Sequence, residues 1–149
     1  MEKRMCDSIN YETELKQNGL KVTKSRMAIL DILIQSDQPI DAEQVFLGLK
    51  EKMIETNLST VYRTLDTLEE KGLVTKISMI NDDRKLFEYN QLGHRHYLVC
   101  IDCKKIVTIH SCPLHSYEKT LEDETNFSIV GHKLYLYGYC FDCQKKKMV

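Results

Sequence analysis

No run in the 149 residues approaches the roughly 18 apolar side chains that a membrane-crossing helix needs, which excludes a helical membrane protein. The opening segment MEKRMCDSIN lacks an apolar core of the kind an export signal carries, so the expected compartment is the cytoplasm. Charge of one sign is missing as well. The net charge is −1, and residues 1–90 carry 13 Lys and Arg against 16 Asp and Glu, while residues 91–149 carry 8 against 6. A nucleic-acid partner must therefore be argued from local arrangement, not from bulk charge. Cysteine and histidine are nearly absent from the first 90 residues, where Cys6 is the sole representative of either. No Ser-His-Asp set, Gly-rich phosphate loop or carboxylate pair stands out, so the chain is not expected to be an enzyme.

The remaining ten Cys and His residues lie between His94 and Cys143, and this shift in composition divides the chain. A first domain is expected over residues 1–90 and a second over 91–149, with the boundary in the polar stretch from Asn90 to Gly93. A hydrophobic fraction of 42% is enough to bury a core in each. Cytosolic thiols stay reduced, so these cysteines point to metal or reactivity before disulfides.

The first domain reads as helices followed by a hairpin. Helices are expected over Tyr11–Asn18, ended by Gly19, and over Lys24–Gln35, capped by Thr23, with Met27, Leu30, Leu33 and Ile34 at helical spacing. Asp41 caps a third, with Val45, Phe46 and Leu49 inward. Asn57 or Ser59 opens a fourth, with Val61, Leu65 and Leu68 on one stripe and Gly72 beyond its end. Leu73–Met79 and Lys85–Tyr89 read as strands around the turn-forming Ile80-Asn81-Asp82-Asp83. That order of elements is a winged helix. In the second domain, strands are expected at Tyr97–Val99, Ile106–Ile109 and Ser128–Tyr139. A helix is expected over Pro113–Glu124, with Leu114, Tyr117 and Leu121 buried.

Cys100-Ile101-Asp102-Cys103 and Cys140-Phe141-Asp142-Cys143 are Cys-x-x-Cys pairs 36 residues apart. Two intervening residues let both thiolates of a pair reach one ion, and two pairs complete a tetrahedral sulfur shell suited to Zn²⁺. A redox dithiol or an iron–sulfur cluster is the chemical alternative, but a redox pair would be single and placed where a strand meets a helix. A closed shell of four thiolates holds a fold rather than catalyses. All five histidines fall within 39 residues, which favours a second, nitrogen-rich metal site over five unrelated histidines. Cys112 is expected to pack at the start of a helix, with sulfur ligation the lesser reading. Cys6 is given no specific role. In the fourth helix, Ser59, Thr60, Arg63 and Thr67 face outward if Val61, Leu65 and Leu68 face inward. Short hydroxyls and an arginine near a helix N-terminus suit phosphates and base edges in a major groove, although an ordinary solvated face has the same pattern.

Taken in order, Gly19-Leu20-Lys21-Val22-Thr23 with Arg26, Ser59-Thr60-Val61-Tyr62-Arg63, His94-x-His96-x-x-x-Cys100-x-x-Cys103, His132-x-x-x-x-Tyr137-Gly138 and Cys140-x-x-Cys143 resemble the ferric uptake regulator family of metal-dependent repressors. The resemblance runs from about Leu15 to Cys143. It implies an α+β chain: an N-terminal winged-helix DNA-binding domain, then a small α/β dimerisation domain with the four-cysteine zinc site. It implies a cytoplasmic homodimer on palindromic double-stranded DNA operators when a divalent metal is bound, with Arg26, Ser59, Thr60, Tyr62 and Arg63 at the DNA. It also implies a regulatory site at His94, His96, His115 and His132, here all imidazole. At the positions of the family's other site stand Pro39, Glu88, Arg95, Tyr97 and Thr108, of which Glu88 alone can serve as a ligand. An all-nitrogen shell suits Zn²⁺, whereas Fe²⁺ and Mn²⁺ sites more often include carboxylate oxygens. Ser111-Cys112-Pro113 resembles the zinc-uptake branch. A zinc-sensing repressor is thus the first expectation and a ferrous-iron-responsive repressor the second. A peroxide sensor, a zinc-dependent enzyme and a zinc-ribbon interaction module without DNA binding rank lower.

Overall fold

The computed structural model describes residues 10–90 and 95–147. They divide into two compact units, residues 10–77 with 85–90 and residues 78–84 with 95–147. No described helix is long and apolar enough to cross a membrane.

The first unit opens with helix α1 (Tyr11–Gln17), capped by the Asn10 side chain and followed by Gly19 at φ 72°. Helix α2 (Lys24–Gln35) starts where Thr23 accepts the Arg26 N–H. Helix α3 (Ala42–Glu51) begins in a reciprocal capping box: Asp41 accepts the Gln44 N–H at 2.8 Å, and the Gln44 side chain accepts the Asp41 N–H at 3.1 Å. Helix α4 (Leu58–Glu70) is capped by Asn57, which settles the choice between Asn57 and Ser59. Gly72, at φ 78°, follows its end. The inward stripes meet: Leu15, Ile29, Leu30, Leu33, Val45, Leu49, Val61, Leu65 and Leu68 are all buried. Gly48 on α3 permits close approach to α2, because a Cβ there would sit 3.0 Å from the Ile32 side chain. Met27 and Phe46, expected in the core, are half-buried; Phe46 lies under the Lys50 ammonium at 4.6 Å. Strands β2 (Val74–Ile77) and β3 (Leu86–Tyr89) form the expected antiparallel wing. A two-residue strand β1 (Ile40–Asp41) adds to β3, giving the order β1-β3-β2.

The second unit carries β4 (His96–Cys100), β5 (Ile106–Ile109), helix α5 (His115–Thr125), β6 (Tyr135–Gly138) and helix α6 (Phe141–Lys147). Its sheet order is β5-β4-β6, with β4 antiparallel to β5 and parallel to β6. Two expectations need correction. The strand expected over Ser128–Tyr139 is regular only over Tyr135–Gly138, the stretch that has β4 as a pairing partner. Helix α5 has no buried residue: Tyr117 is exposed, and Leu114 and Leu121 are half-covered. Along one sheet face, Val107, Leu98 and Leu136 stand in register as an exposed apolar row.

Candidate metal centres and DNA-facing helix

The parallel pairing of β4 with β6 organises both Cys/His clusters. His96 begins β4 and Cys100 ends it; His132 precedes β6 and Cys140 follows it. Parallel strands bring like ends together, so the two histidines gather at one end of the pair and the cysteines at the other.

At the cysteine end, the ligand atoms of Cys100, Cys103, Cys140 and Cys143 lie within 4.8 Å of one another. Cys103 Sγ and Cys140 Sγ are 3.7 Å apart. A tetrahedral zinc with bonds near 2.3 Å would separate its sulfurs by about 3.8 Å, so the spacing fits. The first pair sits on a tight knuckle: Cys100 N–H donates to Lys105 O, Lys104 N–H donates to Cys100 O, and Lys104 takes φ 66° to close the turn. The Cys140 N–H points at Cys100 Sγ at 3.3 Å. That donor, with the Cys103 N–H, lowers the Cys100 thiol to about 6. Cys143, reached through the first turn of α6, goes the other way. The neighbouring Cys140 thiol, burial and the other sulfurs push it up to about 12. One thiolate is thus favoured and further negative charge resisted, which is the electrostatic condition a divalent cation relieves.

At the other end, His96 Nε2 and His132 Nε2 are 3.1 Å apart, with their rings stacked at 4.8 Å between centroids. His96 is buried, 2% exposed. Cys112 Sγ completes a triangle, 3.3 Å from each of these nitrogens. Glu118 on α5 binds His132 Nδ1. A carboxylate there keeps the proton on Nδ1 and leaves the Nε2 lone pair directed at the cluster, the usual outer support of a metal-bound histidine. The three converging atoms fit a divalent ion of the zinc type.

Of the expected regulatory ligands, the structure brings His96 and His132 together. His115 is exposed and lines the same cleft of about 450 Å³ with Cys112, Glu118 and His132, outside the convergent set. His94 and Cys6 lie outside the described residues. The sequence favoured packing over sulfur ligation for Cys112; the tertiary structure places it with two imidazoles. Tyr97 is buried and stacked on Tyr135 at 6.0 Å.

On α4, Ser59, Tyr62 and Arg63 are exposed and Thr60 is half-exposed. Arg63 Nη2 reaches Thr60 Oγ1 at 3.4 Å, and the Thr60 N–H donates to Asn57 Oδ1 at 2.9 Å. Arg26 donates to Lys21 O at 2.8 Å.

The profile of the ferric uptake regulator family matches residues 17–137. The chain belongs to the ferric uptake regulator family. It is accordingly a metal-responsive transcriptional regulator with a winged-helix domain and a dimerisation domain. A ferric uptake regulation protein of Neisseria meningitidis serogroup A is 30% identical over 141 residues, covering 94% of this chain and 97% of the relative. The ferric uptake regulator structure of Vibrio cholerae superposes with a TM-score of 0.72 at 33% identity, over 87% of this chain and 98% of that one. That of Pseudomonas aeruginosa with manganese gives 0.75 at 30% identity, over 89% and 99%.

Proposed function

We propose that this family member is a zinc-responsive repressor of metal-uptake genes, acting as a cytoplasmic homodimer on palindromic DNA. In this reading residues 1–90 bind the operator through Arg26, Ser59, Thr60, Tyr62 and Arg63, and residues 91–149 bind metal and dimerise. A zinc at Cys100, Cys103, Cys140 and Cys143 is structural. The regulatory ion sits in the second centre, drawn from His94, His96, His115 and His132. The observation that carries the reading is the approach of His96 and His132 Nε2 to 3.1 Å, apart from the four cysteines. The exposed row Val107, Leu98 and Leu136 supplies an apolar strip for a second copy.

An ion held by His96 on β4 and His132 before β6 ties together separate stretches of the second domain. In a dimer, that restraint favours the spacing of about 34 Å at which two recognition helices enter successive major grooves. Coupling energies of roughly 1–3 kcal/mol, typical of allosteric proteins, suffice to switch binding. The names of the relatives favour a second reading, a ferrous-iron-responsive repressor of iron uptake.

The test is operator binding by fluorescence anisotropy, titrated with Zn²⁺, Fe²⁺ and Mn²⁺ while the four-cysteine zinc stays in place. His96→Ala and His132→Ala are expected to remain folded dimers that no longer respond to zinc. A full zinc response in both variants would remove the second centre as the switch, and a response confined to Fe²⁺ would establish the iron reading.

A further inference from the structure

We propose that Cys112 is itself a metal ligand of the second centre, which makes that centre a mixed nitrogen–sulfur site selecting zinc and similarly soft ions over Fe²⁺ and Mn²⁺. The proposal rests on the reading of this centre as the metal switch and adds the ligand that sets its metal class.

The geometry is the first argument. Bonds of about 2.0–2.1 Å to imidazole nitrogen and 2.3 Å to thiolate, at tetrahedral angles, separate two nitrogens by about 3.3 Å and a nitrogen from a sulfur by about 3.6 Å. The three separations here are 3.1, 3.3 and 3.3 Å. All three are within a few tenths of an ångström of those values and share the same slight contraction. A thiol that merely packed at the start of α5 would face carbon. Cys112 Sγ faces two ring nitrogens, one of which has its tautomer fixed from behind by Glu118.

Chain placement is the second. Cys112 lies in the connection between β5 and α5, immediately before Pro113, whose ring restricts the Cys112 backbone to extended conformations. The sulfur therefore comes from a third piece of chain, distinct from those carrying His96 and His132, and a single ion closes all three. Chemistry supplies the metal class. Thiolate is a soft donor suited to Zn²⁺ and poorly matched to Mn²⁺, whereas a carboxylate in its place would favour the harder ions.

The experiment uses the full-length protein with zinc retained at the four cysteines and Co²⁺ added to the second centre. The expected wild-type spectrum has a near-ultraviolet sulfur-to-cobalt charge-transfer band with tetrahedral visible bands. Cys112→Ser is expected to lose the charge-transfer band and keep cobalt binding. Its zinc affinity should fall by more than the roughly 10–100-fold that loss of an outer partner costs, with a much smaller change for Mn²⁺. Glu118→Gln, an outer-partner variant, should keep the band. In wild-type protein, mass-spectrometric mapping should find Cys112 protected from alkylation when the second centre is loaded, so the test survives a variant that fails to fold. Absence of the band in wild type, its persistence in Cys112→Ser, or alkylation of Cys112 at an unchanged rate in the loaded protein overturns the proposal. If Cys112→Ser is silent while His96→Ala abolishes the metal response, the thiolate falls and the switch stands; if His96→Ala and His132→Ala are silent too, both fall.

Discussion

Removing the zinc proposed at the four cysteines should unfold residues 95–147 and leave the first unit intact. Between residues 95 and 147, the described buried apolar side chains other than the cysteine ligands are Tyr97 and Val99. Each contributes roughly 3 kcal/mol at most by leaving water. A structural zinc contributes on the order of 10 kcal/mol of folding free energy, so the ion outweighs what apolar core there is. The first unit has the reverse balance, with continuous apolar stripes from four helices and the wing. The perturbation is a strong chelator under reducing conditions, with Cys100→Ser as its genetic counterpart. Far-ultraviolet circular dichroism should lose the contribution of α5 and α6, 11 and 7 residues long, while α1 to α4 keep a cooperative melt. Near-ultraviolet signal from the stacked Tyr97 and Tyr135 should collapse with it. A zinc-free protein that kept the tyrosine signal and melted as the zinc-loaded form does would refute the reasoning, because the few buried side chains would then be holding the unit by themselves.

Arg63→Ala should weaken operator binding by about 1–3 kcal/mol with metal content unchanged, read by anisotropy and elemental analysis; wild-type affinity would mean that another face meets the DNA. Asp31 accepts from Lys52 Nζ at 2.9 Å and Tyr11 Oη at 3.0 Å. Burial pushes its carboxyl up, but the Lys52 ammonium and the Tyr11 hydroxyl together hold it below the usual carboxylate value. A depressed folded pKa means stabilisation that is complete above the unfolded value near 3.9 and lost as pH falls through the lower folded one. Asp31→Asn should therefore lower stability near neutrality by no more than about 1 kcal/mol, since both partners are partly exposed. The two melting curves should converge in acid, and a gap that persisted there would assign the effect to packing.

Local chemistry was legible where it was self-contained. Thr23, Asp41 and Asn57 are side-chain caps whose partners lie three residues on, so α2, α3 and α4 start where their sequence says. The strand expected at Ile106–Ile109, a short run of β-branched residues, coincides with β5. Two-residue β1 is too short to carry any period and exists only because β3 offers it an edge. The apolar face of α5 was misjudged because Leu114, Tyr117 and Leu121 are spaced as a core stripe, yet the described residues leave Tyr117 59% exposed. At the metal centres the same division holds. Cys-x-x-Cys is a local geometry and was readable. Cys112 meets His96 and His132 from 16 and 20 residues away, with no fixed spacing to signal it.

Strand β4 is five residues long, about 13 Å, and has a ligand of one metal cluster at each end. Its parallel neighbour β6 lies between His132 and Cys140 in the same sense. If both clusters hold metal as proposed, filling of one end should therefore favour filling of the other. An ion clamping the cysteine end would reinforce the register of β4 and β6 and with it the distance at which His96 and His132 meet. On the proposed assignment, filling the four-cysteine centre is expected to raise the affinity of the second, so the second should respond best in molecules that already hold the first ion. In that reading a newly made chain takes up one ion to order its second domain and a further ion to respond.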